Sequence, residues 1–422
     1  MRPGNTSLPL GFHPRQQYRT VSEALILDMC HVAGWACERG EKSPGMAITC
    51  EALKCWIEMG LEFRLGAGGV RYFDPVEVLN FMKLAGLDGR QAFWTEHVVG
   101  TARQLVRTMD SEDPRKFTVE LRRMFNTRSV AAGTALRLRM PLPLTSDHLG
   151  NLDVRPHAVE TGSIGTDVAV SRGRLEVRAQ AANSDEMTIG ATTTFIAVPR
   201  DPGRELPRSD LGAPDPRYLR QRDGLIVVSD RIAALASSLA GPGDDPLVAI
   251  RAFWNYCLDG FFQGAVHYDQ VDVDAPGDWL LDSGWGDCQL VAAVFASMCR
   301  ARGIPARILG GFYLYKARPT EHFWAEAWID GQGWTPFDFG CWELSRGGRD
   351  IEWRDHFFGR LDARLTNQCF PFEFTGAIGV KIPAAWQVVQ SLEPDGASVA
   401  LLDVTGSLVY RDFVSVTGCT TI

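Results

Sequence analysis

The sequence contains no apolar run long enough to cross a membrane as a helix. Its longest apolar-rich run, from Leu290 to Cys299, is about half of the roughly 20 residues that a bilayer requires. The first twenty residues also lack the continuous apolar stretch of a signal peptide, because three arginines, three prolines and a histidine interrupt them. We therefore expect a cytoplasmic protein with no membrane as a partner.

An excess of basic residues is also missing. The chain has 43 lysines and arginines against 51 aspartates and glutamates, for a net charge of −8 and a pI near 5.6. Nucleic acids and anionic membranes select positive surfaces, so neither is expected as the main partner. With 422 residues, the chain exceeds what one hydrophobic core usually supports, which predicts two or three domains.

Neither a disulfide framework nor a metal site is predicted. Ten cysteines scattered over a long chain favour reduced thiols. The first four, next to His31, invite a zinc interpretation: Cys30, Cys37, Cys50 and Cys55. They form no C-x-x-C pair, and the first two have the heptad spacing of a helix core, so all four are expected to be buried structural thiols. An acidic loop lacks the glycine and closing glutamate of a calcium-binding loop: Asp269, Asp272, Asp274 and Asp278. We therefore expect no metal and no cofactor.

The N-terminal part, residues 1–114, has a mainly helical pattern. Ser22 can cap a helix that runs to about Arg39, and residues 46–59 continue helically. Residues 61–73 are predicted to form a hairpin with glycines in its turn. Two further helices are predicted over residues 75–85 and 91–109.

A small antiparallel β domain of the sandwich class is predicted for residues 115–205. Apolar and polar residues alternate there with a period of two between turn-rich segments, as in Phe117–Leu121, Leu136–Met140 and Leu175–Arg178. Residues 216–375 follow with helices first and strands afterwards, which is typical of an α+β domain. The last segment, 376–422, is predicted to contain short strands.

The segment from Gly284 to Cys288 opens a helix whose apolar residues recur with helical spacing: Val291, Val294, Phe295 and Met298. Cys288 therefore lies in the first turn of a buried helix. Free backbone N–H groups and the positive end of the helix dipole favour a thiolate at that position. Because the adjacent Asp287 opposes this effect, the cysteine still needs a basic partner.

That partner is predicted on the strands that follow. His322 begins one strand, and Asp338 ends the strand that returns after a glycine-containing turn. A cysteine, a histidine and a carboxylate in this arrangement supply a nucleophile, a base and a group that orients the base. His322 and Asp338 stand opposite each other, on one face, only if the hairpin is centred on Asp330, and a loop of three or five residues is expected to give that centre.

Two other carboxylates, Glu321 and Glu326, lie near His322 in the sequence. Glu321 points to the face opposite His322, and Glu326 lies about 13 Å along the same strand, so Asp338 is preferred as the orienting group. The backbone N–H of Cys288 is expected to donate to a developing oxyanion. The second donor stays open among four residues: Trp254, Asn255, Tyr268 and Trp285.

The ordered motifs of this region resemble the transglutaminase-like superfamily. They are Gly286-Asp-Cys288, Arg300-Ala-Arg-Gly-Ile-Pro-Ala-Arg307, Gly311-Phe312, His322-Phe-Trp-Ala-Glu326 and Gly333-Trp-Thr-Pro-Phe-Asp338. The resemblance extends from Tyr218 to about Phe374, and the β domain resembles one that accompanies this core in bacterial members. It implies a papain-like fold with Cys288 as nucleophile, His322 as general base and acid, and Asp338 as orienting residue.

The sequence leaves three functions open. The first is an acyltransferase that forms an acyl-thioester on Cys288 and passes it to an amine, with carrier-protein-bound substrates as in the natural-product pathways of some bacterial relatives. The second is a cysteine peptidase or amidase, in which water is the acceptor. The third is a non-catalytic scaffold, which the intact set of three residues disfavours.

Overall fold

We describe a computed structural model of the chain. The residues it describes are 21–32, 35–38, 46–74, 77–78, 80–81, 83–84, 114–127, 130–145, 149–157, 167–171, 173–181, 183–197, 212–264, 266, 270–272, 274–314, 320–344, 350–361, 364–370, 374–375, 381–382, 392–394 and 410–421. The predicted helix over 91–109 lies outside these residues.

The N-terminal part mixes short helices and strands. Its strands are β1 (Val21–Ser22), β2 (Met29–Val32), β3 (Trp35–Glu38), β4 (Met46–Ala47), β5 (Arg64–Leu65) and β6 (Arg71–Phe73). Its helices are α1 (Glu23–Asp28) and α2 (Cys50–Glu58). Residues 77–84 are helical wherever they are described. The predicted hairpin over 61–73 is confirmed, because β5 pairs with β6.

The prediction of one helix from Ser22 to Arg39 is wrong beyond Asp28. Residues 29–38 form the hairpin β2–β3 instead, and Cys30 pairs directly with Cys37 across it. Histidine, valine, tryptophan and cysteine are weak helix formers, and several of them favour strands, so tertiary pairing overrides the heptad spacing. Nor is Cys50 a core thiol: it is exposed at the start of α2.

Among the described residues, the β region contains six strands with the predicted alternation. They are β7 (Arg115–Asn126), β8 (Ala135–Pro141), β9 (Leu149–His157), β10 (Asp167–Ser171), β11 (Arg174–Gln180) and β12 (Glu186–Ala197). Side chains from β7, β8, β11 and β12 share one hydrophobic cluster, which includes Val119, Leu138, Val177 and Ile189. Two sheets facing one core form a β-sandwich, as predicted.

The α+β core follows in the predicted order. Its helices are α3 (Asp230–Leu239), α4 (Pro246–Gly260), α5 (Pro276–Ser283), α6 (Cys288–Ala301), α7 (Cys341–Leu344) and α8 (Ile351–His356). Its strands are β13 (Arg222–Asp223), β14 (Ile226–Val227), β15 (Phe262–Gln263), β16 (Trp285–Gly286), β17 (Ala306–Tyr313), β18 (Thr320–Ile329), β19 (Gly333–Phe337) and β20 (Arg364–Phe370).

The C-terminal part contributes strands to the β-sandwich. They follow a small pair, β21 (Phe374–Thr375) and β22 (Lys381–Ile382), and are β23 (Leu392–Pro394) and β24 (Tyr410–Thr421). β23 pairs with β8, and β24 pairs with β7 over most of its length. The prediction of short strands is therefore wrong for β24, which has 12 residues. The sandwich sheets have the orders β10-β11-β8-β23 and β24-β7-β12-β9.

The core sheet has the antiparallel order β19-β18-β17-β20, and helix α6 packs against it. Buried residues of α6 such as Val291 and Phe295 share one cluster with Ala325 and Ala327 of β18. The sandwich touches the same sheet from another side, because Leu365 of β20 belongs to the sandwich cluster. The predicted packing of a cysteine-bearing helix on an antiparallel sheet is thus confirmed.

Candidate active site

Cys288 is the first residue of helix α6. The side chain of Asp287 caps the helix by accepting hydrogen bonds from the backbone N–H groups of Gln289 at 3.1 Å and Leu290 at 2.9 Å. The following residues are buried almost without interruption, so the helix is fixed against the sheet. The position of Cys288 at a capped, buried helix start agrees with the prediction from sequence.

The surroundings of the thiol favour its protonated form. Burial raises the pKa of Cys288 well above its ordinary value, and the adjacent Asp287 carboxylate raises it further. The backbone N–H of Phe323 acts in the opposite direction, because it donates a hydrogen bond to the sulfur and stabilises the thiolate. The thiol therefore needs a base to become a nucleophile, and its hydrogen-bond donor is the residue that follows His322.

His322 and Asp338 form a buried hydrogen-bonded pair. The imidazole Nε2 lies 2.6 Å from Asp338 Oδ1, and both side chains are almost fully shielded from solvent. A carboxylate accepts the hydrogen from Nε2, which fixes the ring and leaves Nδ1 as the nitrogen with a free lone pair. The pairing that the sequence predicts is present in the structure.

Asp338 is held by more donors than His322 alone. Its Oδ1 also accepts from the Gly340 backbone N–H at 2.7 Å, and its Oδ2 accepts from the Tyr313 hydroxyl at 2.9 Å and from Arg364. Burial alone would raise the pKa of Asp338. The charges of Arg364 and His322, together with the hydrogen bonds from His322 and Gly340, instead hold that pKa well below its usual range. Asp338 therefore stays ionised beside the imidazole.

The β18–β19 turn has three residues, 330–332, because Ile329 pairs with Gly333. The odd loop length is as predicted, but the centre is Gly331 rather than Asp330. Positive φ angles of 81° at Gly331 and 76° at Gly333 permit this tight turn, since glycine lacks the Cβ that disfavours them. The predicted centre is therefore one residue too early.

This register brings Asp338 into line with Trp324 and not directly opposite His322. The shift amounts to two residues, so both side chains stay on the same face of the sheet. Diagonal neighbours of this kind are about 7–8 Å apart at the backbone, which long side chains span. The observed contact of 2.6 Å is consistent with this diagonal arrangement.

Glycines and an aromatic ring shape the space around the imidazole. The Tyr313 ring stacks on His322 with 4.4 Å between centroids. A methyl group at Gly340 would lie 2.6 Å from the Tyr313 hydroxyl and 3.2 Å from His322 Cε1. One at Gly311 would lie 1.9 Å from the Leu365 carbonyl oxygen, so β20 can approach β17 only where no side chain intervenes.

The four predicted oxyanion donors lie in different places. Trp254 is fully buried on α4 and packs against Phe339 with 5.1 Å between ring centroids. Asn255 is half-buried on the same helix, and Trp285 lies in β16, three residues before the cysteine. Tyr268 falls outside the described residues. The contact between Trp254 and Phe339 does not involve Cys288.

The other carboxylates and cysteines have structural contacts. Glu326 is fully buried and accepts from Arg307 Nε at 2.8 Å, so it does not orient the histidine, as expected. The side chain of Glu321 lies outside the described residues. In the acidic loop, Arg222 pairs with Asp274 at 3.4 Å. Within the described residues, no cluster of ligating side chains could hold a metal ion. Three cysteines are buried, as predicted: Cys257, Cys299 and Cys341.

Sequence reasoning missed two residues that hold Asp338. Tyr313 is the last residue of β17, and its distance from the histidine along the chain gave no signal of the stacking. Arg364 lies on β20, which the sequence pattern did not reveal as part of this sheet. Its guanidinium lies 4.3 Å from the centre of the Tyr313 ring. A lone basic residue in a polar segment is a weak signal, so only the fold identifies it.

Comparison with known proteins agrees with this core. The family model described as "Transglutaminase-like superfamily" matches residues 233–339. A protein-glutamine gamma-glutamyltransferase from Pseudomonas aeruginosa is 29% identical over 118 residues, which cover 26% of this chain and 18% of that protein. The chain thus spans less than a fifth of the length of this curated relative.

Solved structures with low sequence identity were also found. A candidate cysteine protease from Cytophaga hutchinsonii has a TM-score of 0.43 and 16% identity, covering 74% of this chain and 90% of that one. The periplasmic domain of TgpA from Pseudomonas aeruginosa has a TM-score of 0.27 and 17% identity, covering 59% of this chain and 95% of that one.

Within the described residues, no helix is both long and apolar enough to cross a bilayer. Residues 233–339 are similar to the core of the transglutaminase-like superfamily.

Proposed function

We propose that the protein is a thiol acyltransferase that forms an acyl-thioester on Cys288 and passes the acyl group to an amine. The observation that carries the proposal is the buried His322–Asp338 pair, with an Nε2 to Oδ1 distance of 2.6 Å. The residue after this histidine donates its backbone N–H to the Cys288 sulfur. A nucleophile, a base and an orienting carboxylate are the parts that covalent acyl transfer requires.

The first half of the reaction is acylation. Asp338 accepts the hydrogen of His322 Nε2, so Nδ1 takes the proton of the Cys288 thiol. The sulfur then attacks the carbonyl carbon of the donor, and the electron pair of the C=O bond moves to oxygen. When the pair returns, the bond to the leaving group breaks and the leaving group takes the proton from Nδ1. The product is a thioester on Cys288.

The second half repeats these steps with a new nucleophile. An amine gives its proton to His322 Nδ1 and attacks the thioester carbonyl, and the Cys288 sulfur then leaves and regains the proton. The relative from Pseudomonas aeruginosa is named as a glutamyltransferase, which supports an amine as acceptor. Carrier-protein-bound substrates are a further part of the proposal that rests on sequence reasoning alone. A cytoplasmic location likewise stays a prediction.

Intact mass spectrometry tests the acylation half. The protein is incubated with S-phenyl thioacetate, and the expected result is a single acetyl adduct on Cys288. The exposed thiols Cys50 and Cys419 could react non-specifically, so Cys50→Ala and Cys419→Ala are the matched controls and should keep the adduct. Cys288→Ala should lose it, and His322→Ala should acylate at least roughly a thousandfold more slowly.

Adding a primary amine to the acetylated protein tests the acceptor. Acetylated amine as the main product supports transfer, whereas acetate alone supports the hydrolytic alternative of a peptidase or amidase. If wild type and Cys288→Ala behave alike, the proposal fails and a scaffold role replaces it. Acetyl groups presented on a carrier protein and on free pantetheine distinguish a carrier-dependent donor from a small one.

A further inference from the structure

Gln263 is a buried polar residue that the reaction described so far does not use. Its side chain is only 4% exposed. Its amide nitrogen Nε2 has no hydrogen-bond acceptor among the residues that the structure describes. A buried donor without an acceptor is unfavourable, so Nε2 calls for a partner such as a bound molecule.

Its strand runs beside the segment that leads into the catalytic helix. β15 pairs in parallel with β16, and Gln263 pairs with Gly286, two residues before Cys288. Two backbone hydrogen bonds of 2.9 Å join the strands. The N–H groups of Phe262 and Gly264 donate to the carbonyl oxygens of Gly284 and Gly286, respectively. Gln263 is thus held in a fixed register with the nucleophile.

The carboxamide shares a face with the first turn of α6. Paired residues of adjacent strands project to the same side of a sheet. A methyl group at Gly286 would lie 2.7 Å from Leu280 Cδ1 and 3.5 Å from the Cβ of Leu290, which belongs to that first turn. The side chain of Gln263 therefore emerges on the side where the helix, and with it Cys288, begins.

We propose that Gln263 is the second oxyanion donor of the acyl-transfer site, a role that rests on the proposed function. As the Cys288 sulfur adds to the carbonyl carbon, the C=O electron pair moves to oxygen. The Nε2–H of Gln263 and the backbone N–H of Cys288 donate hydrogen bonds to that oxygen. They release it when the C=O bond re-forms and the leaving group departs. The donor receives its missing acceptor only when a substrate is bound.

Trp254 is the rival donor. Its indole Nε1 also lacks an acceptor within the described residues. However, its ring lies among aromatic rings, with centroids 5.1 Å from Phe339 and 6.0 Å from Phe337, which is the environment of a core residue. Gln263 alone lies on a strand paired with the residues that lead into Cys288.

The N-terminal part supports the strand of Gln263. Lys83 Nζ donates a hydrogen bond to the backbone carbonyl oxygen of Gln263 at 3.5 Å. Asn80 is fully buried, and its Oδ1 lies 2.5 Å from where a methyl group on Gly264 would be. Any larger residue at position 264 would force the Asn80 carboxamide to move. The Gln263 backbone is thus fixed from both sides, as an oxyanion donor requires.

Two rates measured on each variant test this role. The first is acetylation of Cys288 by S-phenyl thioacetate, followed by thiophenol release. The second is alkylation of Cys288 by iodoacetamide, a displacement at a saturated carbon that forms no oxyanion. Gln263→Met keeps the size of the side chain but removes the donor. We expect acetylation to slow about 100-fold to 1000-fold, while alkylation changes less than about threefold.

Matched variants decide the remaining outcomes. Gln332→Met changes a glutamine in the β18–β19 turn and should leave both rates near wild type. Gln263→Glu serves as the second variant if Gln263→Met does not fold, and the same loss of acetylation alone is expected. Unchanged acetylation, an equal fall in both rates, or the selective loss in Trp254→Phe instead would overturn the assignment. If wild-type protein alkylates at Cys288 but never acetylates, the proposed function fails as well.

Discussion

Arg364 is the residue whose removal most directly tests how Asp338 is held. Arg364 and Asp338 are each 3% exposed, so solvent does not screen their charges. Breaking a buried ion pair by removing one partner costs about 3–5 kcal/mol. Asp338 keeps hydrogen bonds from His322, Gly340 and Tyr313, so Arg364→Met should lower the free energy of unfolding by a value near the lower limit, about 3 kcal/mol.

The sign of the pH dependence follows from the direction of the shift. The pKa of Asp338 in the folded protein lies below its ordinary value, so its contribution to stability is present at neutral pH and is lost as the pH falls. Arg364→Met raises that pKa. The stability difference between wild type and variant should therefore be constant from pH 7 to about pH 4, the ordinary range of an aspartate, and shrink below it.

The stability difference is measured as the free energy of opening of the β18–β19 hairpin. Hydrogen exchange, followed by mass spectrometry from pH 7 to low pH, gives this value. The control is Arg307→Met, which removes the partner of the equally buried Glu326 on the same sheet. Both variants should open more easily, but only Arg364→Met should also slow acetylation of Cys288. A loss under about 1 kcal/mol, or a difference that grows as the pH falls, would refute the assigned role of Arg364.

Two further changes have defined outcomes. Lys83→Met should slow alkylation of Cys288 by a few fold at fixed pH and raise the thiol pKa seen in the pH profile of alkylation, because the lysine charge lowers that pKa. Lys83→Arg should restore the profile. No change in Lys83→Met would contradict an effect of the lysine charge on Cys288. Gly311→Ala should lower the thermal midpoint sharply, since its methyl group would lie 1.9 Å from a carbonyl oxygen of β20. Gly331→Ala, in an open turn, serves as a comparison for strain alone, and equal midpoints would count against the close approach.

The α+β core was predictable because its signals are local. Helix α6 has the N-cap Asp287, an apolar face, and Gly303 with a positive φ just after its end. The β18–β19 hairpin follows from two aromatic-rich segments on either side of a glycine-containing turn. Both elements are specified by nearby residues in the sequence, so Cys288, His322 and Asp338 could be assigned to them before the fold was known.

Features that depend on distant parts of the chain were not predictable. β24 joins the sandwich almost 300 residues after β7 in sequence, and no local pattern specifies that pairing. Arg364 reaches Asp338 only because β20 returns beside β17. Gln263 looks like an ordinary polar residue in sequence, and its missing acceptor becomes visible only when burial is known. In the N-terminal part, heptad spacing favoured a helix where cross-strand pairing formed β2 and β3.

The rate of Cys288 alkylation by iodoacetamide, in wild type and in His322→Ala at neutral pH, is the most direct test of the nucleophile and its base. Burial keeps the thiol protonated on its own, so the rate depends on a histidine that accepts its proton. We expect the variant to react at least about 100-fold more slowly, with the difference vanishing at high pH where hydroxide removes the proton. Equal rates at neutral pH would contradict the coupling of Cys288 to His322.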